Sequence, residues 1–182
     1  MPPKIQNRLK SGLWILLPLI LLSFLSNSIA DSPLPVEEGM YTISANGTTR
    51  GEMSGIVSFR ESELVSQNGH LLNVVRINFG DSASDQEINM EFLISQRSDA
   101  DPIDEGKYYV NRYISGFVSE FNGVFGYANF VSRGEDPYFS KTGHLRITNK
   151  SENLLEGTMD VTLIDATGEK LQMEGFFKAL RQ

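Results

Sequence analysis

The chain has no cysteine and only two histidines among its 182 residues. Without thiols there is no disulfide framework, no thiolate nucleophile and no Cys-based zinc cluster. A metal site normally takes three or four ligands, and no clustered His or Cys supplies them around His70 or His144. The two imidazoles, each directly after a turn glycine, read more plainly as solvent-facing side chains. A Gly-x-Ser-x-Gly elbow and a phosphate-binding glycine loop are both missing. No catalytic residue, metal or other cofactor is therefore expected. Helical patterning is also missing, since no stretch after residue 31 keeps a 3.6-residue apolar period for three turns.

Positive charge is scarce, with 16 Lys and Arg against 23 Asp and Glu. Three of those basic residues (Lys4, Arg8 and Lys10) precede an apolar run from Leu13 to Leu25. Small residues follow at Ser28 and Ala30, the arrangement of a cleavable secretory signal cut between Ala30 and Asp31. The run holds 13 residues with Pro18 inside it, short of the roughly 20 that a spanning helix needs. Residues 1–30 thus read as a signal peptide and 31–182 as one exported domain, periplasmic or extracellular, with no membrane span after processing. The absence of cysteine suits a bacterial source. Loss of the leader leaves 13 basic against 23 acidic residues, a net charge of −10. Such a surface repels phosphate backbones and anionic lipid, so nucleic acid and membrane surfaces are poor partners.

What is present is period-two alternation, the pattern of a half-buried strand. Ile88, Met90, Phe92 and Ile94 share one face, with Asn89, Glu91 and Ser95 on the other and Leu93 as the exception. Leu155, Met159, Val161 and Leu163 alternate with Glu156, Thr158, Asp160 and Thr162. Leu171, Met173, Phe177 and Ala179 do the same against Lys170, Gln172, Glu174 and Lys178. Leu71 to Phe79 is apolar on both faces apart from Asn73, Arg76 and Asn78, as a central strand would be. Asn46-Gly47, Asn68-Gly69 and Asn122-Gly123 are pairs that tolerate type I′ hairpins, and segments 150–152 and 166–168 suit slightly longer ones. Longer polar connections run over 81–87, 98–106 and 133–143. The predicted fold is all-β: one antiparallel meander of about eight to ten strands, closed as an up-and-down barrel or flattened as a sandwich.

A candidate duplication overlies this pattern. Segment 35–43 (PVEEGMYTI) aligns without gaps to 102–110 (PIDEGKYYV), and Gly69-His70-Leu71 recurs as Gly143-His144-Leu145. Half-repeats of 35–100 and 102–180 closing on one core would account for it. The plainer reading is that Gly-x-Tyr and Gly-His-Leu are common strand openings.

Three features could carry function. The acidic stretches Asp81–Glu87 and Asp99–Glu105 hold oxygens of the kind Ca²⁺ takes, though without calcium-loop spacing, and solvated loop charge explains them more simply. Glu91, Glu120, Asp160 and Glu174 fall on outward faces, where pairing with Lys170 and Lys178 accounts for the last two. Aromatics concentrate between Tyr108 and Phe139. Within that run Phe125, Tyr127 and Asn129 share a face, two rings beside an amide, opposite Val124, Gly126, Ala128 and Phe130. Rings supply contact area and an amide fixes orientation. The trio is the candidate ligand-binding site, with core filling as the plainer alternative. The expected function is an exported non-catalytic binding module for a small apolar molecule or glycan. A structural or interaction protein of the cell envelope, and a barrel isomerase or cyclase, are the alternatives.

Overall fold

The computed structural model describes residues 36–66, 68–80, 88–99, 102–111, 122–130 and 136–182. The expected signal peptide, the Ala30/Asp31 cut, the 81–87 loop and Glu120 lie outside them. Nine strands are formed among the described residues: β1 Met40–Gly47, β2 Gly51–Val65, β3 Leu71–Gly80, β4 Ile88–Arg97, β5 Gly106–Tyr109, β6 Gly123–Phe130, β7 Tyr138–Lys150, β8 Leu154–Ile164 and β9 Lys170–Arg181. Eight of them follow one another around a closed antiparallel barrel, β1-β2-β3-β4-β6-β7-β8-β9. The last returns to the first, from Tyr41↔Phe177 to Gly47↔Leu171. Pairing of the first strand with the last closes the sheet on itself, which settles barrel over sandwich.

The alternation read in the sequence sets which side chains enter. Inward residues of all eight barrel strands form one continuous buried cluster, as expected when eight strands enclose a space just wide enough for side chains. At its centre Phe79 meets Tyr41, Phe92 and Phe177 edge-on, with ring centroids 5.3, 6.0 and 5.7 Å apart. Glycines make room where rings are largest. The Phe92 ring fills the space a side chain at Gly126 would need, and Phe177 does the same at Gly157.

β5 is the ninth strand and stands outside the barrel order. β6 and β7 pair directly only at Tyr127↔Phe139 and Ala128↔Tyr138. Where they part, β5 enters, antiparallel to β7 from Gly106↔Ile147 to Tyr109↔His144. A parallel bridge joins Val110 to Val124 of β6. Gly123 opens β6 at φ 127°, pressed against the carbonyl of Tyr109, while the residues before Asn122 that would form the other arm of an Asn122-Gly123 hairpin lie outside the described residues. Asn68-Gly69 and the 165–169 segment do turn as expected. In the latter, Asp165 accepts hydrogen bonds from Thr167 N, Thr167 Oγ1 and Glu169 N at 2.8–2.9 Å.

The two likened segments have different surroundings. β1 is a full barrel strand between β2 and β9, whereas β5 is the four-residue wedge. Ile103, matched with Val36, is a core residue only 3% exposed. Gly69-His70 precedes β3, while Gly143-His144 lies inside β7.

Candidate functional site

β6 puts its small residues inside and its rings outside. Val124, Gly126, Ala128 and Phe130 are buried, while Phe125, Tyr127 and Asn129 are half-buried on the outer wall. The trio shares one outer face, as the alternation predicts. The inward face fills the core, and the outward face carries the candidate trio. Small residues accommodate a ring, but that ring is Phe92 of the core.

The outer trio is extended by neighbours fixed through register. On β4, Leu93, Glu91 and Asn89 stand opposite Phe125, Tyr127 and Asn129. On β7, Phe139 stands opposite Tyr127. Its ring stacks on Phe125 at 6.2 Å and 23°, yet remains 43% exposed. The sequence did carry a trace of this patch, because Leu93 broke the polar face of its strand. Phe139 gave no such signal: its partner depends on which strand follows β6.

Polar groups border the rings. Arg76 of β3 reaches Glu91 at 3.4 Å. Burial raises the Tyr127 pKa, Glu91 raises it further and Arg76 partly opposes this, so the phenol stays protonated at neutral pH. Asn129 Oδ1 is buried with no hydrogen-bond partner, an acceptor left unmatched at appreciable cost. The arrangement can offer a ring face with donors and acceptors at its margin. It contains no nucleophile held by a base.

The remaining candidates are not brought together. His70 is exposed at the mouth of β3, where its N–H donates to Ser66 Oγ at 3.0 Å, and His144 lies on β7, with β4 and β6 between those strands. Among the described residues no three His, Asp or Glu side chains are grouped to hold a metal. In the 98–106 connection, Asp99 pairs with Arg97 at 3.0 Å and the Asp104 backbone bonds the Tyr108 hydroxyl. Glu91, Asp160 and Glu174 face outward. Lys178 pairs with Glu156 at 3.3 Å rather than with Glu174, which stands opposite Asp160. A depression of about 350 Å³ at one barrel end is lined by Glu61, Glu63, Asn73 and Lys150. There Glu61 is already neutralised by Lys150 and Arg181, at 2.6 and 2.7 Å, so its charge serves the fold.

Comparison with known proteins returns no matching family model, no matching curated relative and no matching solved structure.

Proposed function

We propose that this is an exported, non-catalytic binding module that takes its ligand on the outer wall of a filled barrel, and that the ligand is a glycan. The observation that carries the reading is the outward face of β6, where Phe125 and Tyr127 lie beside the exposed ring of Phe139. An apolar small molecule wants a concavity that buries most of its surface. The inward residues form a packed cluster instead, which also gives an isomerase or cyclase no lined chamber among the described residues. An open wall of rings edged by Asn129 and Glu91 suits a sugar, whose C–H face stacks while its hydroxyls meet polar groups.

The test is a glycan array followed by titration calorimetry with Phe139→Ala and Tyr127→Ala. Loss of one stacking ring should cost about 1–3 kcal/mol, roughly tenfold or more in Kd. Glycan affinity unchanged in both variants would overturn the site. The packed interior also favours a second reading, an envelope interaction protein that uses the same wall against another protein. Absence of any glycan hit, with Phe139→Ala abolishing a protein contact found by crosslinking, would select it.

A further inference from the structure

The seam filled by β5 gathers two cations that form no ion pair among the described residues. Lys107 of β5 stands directly opposite Arg146 of β7, and like charges so placed destabilise a strand pair. Both are outward and exposed, and neither has a carboxylate within ion-pair distance among the described residues. This occurs in a chain of net charge −7, where acidic partners are plentiful. Two residues along, on the same face, Tyr109 stands opposite His144, ring centroids 6.1 Å apart. Tyr109 is 63% exposed and carries the Lys107 ammonium 5.3 Å from its centroid.

A groove of about 350 Å³ opens beside these groups, lined by Lys107, Tyr109, Gln96, Asn122 and Ser95. Ser95 is 1% exposed, and its Oγ has no hydrogen-bond partner. The Ser95 hydroxyl, two amides, the Lys107 ammonium and the Tyr109 ring therefore line one groove, and Arg146 stands across the β5–β7 pair from Lys107. The Ser95 hydroxyl lacks a hydrogen-bond partner and the two cations lack a carboxylate among the described residues, and with the exposed ring they suit an oxyanion attached to a sugar.

We propose that the β5 seam is an oxyanion-binding subsite, in which Lys107 and Arg146 hold a carboxylate or sulfate group and Tyr109 stacks on the sugar ring that bears it. This goes beyond the reading of the Phe125–Phe139 wall, because the anion is held whether or not that wall takes part. His144 reports occupancy. Its pKa is lowered by burial first and by Lys107, raised by Asp160 of β8, and lowered again by Arg146. A bound anion shields the two cations, so it shifts that pKa upward.

The experiment is an NMR titration of the exported protein with inorganic sulfate, glucuronate and glucose. Sulfate and glucuronate should give saturable shifts at Lys107, Tyr109 and His144, with the His144 titration moved to higher pH, and glucose should not. Glucuronate binding tighter than sulfate would identify the sugar acid as the natural class, and the reverse order a sulfate ester. Lys107→Gln and Arg146→Gln should each weaken binding about tenfold, as expected for loss of a charge-assisted contact. The melting temperature of Arg146→Gln should not fall, since it removes a repulsion. Lys141→Gln, elsewhere on β7, should leave affinity unchanged, and Phe139→Ala should leave sulfate binding intact even if glycan binding on the wall is lost. The proposal is overturned if no oxyanion shifts these three residues, or if the shifts survive in both charge variants. An equal effect of Lys141→Gln would also overturn it, by showing general screening.

Discussion

A Cβ added at Gly126 would lie 2.7 Å from Cγ of Phe92, and nearer still to two other ring carbons. Phe92 is fully buried, and its neighbours leave it nowhere to retreat. Gly126→Ala should therefore destabilise the protein by about 1–3 kcal/mol through overpacking, measured by urea denaturation. Combined with Phe92→Leu, which vacates the ring's outer atoms, the two costs should sum to more than the double variant shows. Additive costs would mean that Gly126 is needed for its backbone and not for the ring. At this scale the sequence was legible by parity alone. Alternation sorted Phe125, Tyr127 and Asn129 from Val124, Ala128 and Phe130 correctly. It could not say which ring required Gly126, because that contact depends on the register Phe92↔Gly126 between strands β4 and β6.

The connection from β4 to β5 shows what patterning misses at the level of elements. Its charge reads as solvent-facing, yet Ile103 within it enters the core at 3% exposure. It is held where Lys150 Nζ donates to the Ile103 carbonyl at 2.6 Å. One apolar residue among aspartates has no period, so nothing in the sequence marks it as a plug. Ile103→Ala should cost about 2–4 kcal/mol, a loss that no other described residue of that connection would match. Lys150 also bonds Glu61, which pairs with Arg181, and Arg181 reaches the Glu152 carbonyl and lies 4.9 Å from the centre of the Phe59 ring. Burial raises the Glu61 pKa, but the hydrogen bonds and charges of Lys150 and Arg181 outweigh it and leave the carboxyl below its ordinary 4.5. A carboxylate depressed in the folded state binds fewer protons there than in the unfolded chain. Its contribution is complete above about pH 4.5 and is lost as the pH falls through the folded value. Glu61→Gln should then be less stable than the parent at pH 6, and the gap should narrow as the pH falls below about 4.5. A gap constant over that range would show that the network contributes through shape alone.

Closure is the property of the whole molecule on which the outer-wall reading depends. The hairpin sequence implied a meander, but its ends meet only because Tyr41 to Gly47 of β1 register against Leu171 to Phe177 of β9. No local signal announces a pairing between the first strand and the last. Nor does composition decide whether an eight-stranded barrel holds a ligand or its own side chains, since both occur at this size. Residue volume at the inward positions decides it. Phe79 touches rings from β1, β4 and β9, so one side chain spans the space a ligand would occupy. Phe79→Ala should cost about 3–5 kcal/mol and leave an apolar void lined by Tyr41, Phe92 and Phe177. Such voids stay dry and take up benzene or xenon. The variant should therefore bind xenon with a measurable gain in melting temperature, read by scanning calorimetry under gas pressure, while the parent should show none. Xenon uptake by the parent would mean that the interior already has room for a guest. The ligand would then belong inside the barrel, and Phe125, Tyr127 and Phe139 would lose their claim to it.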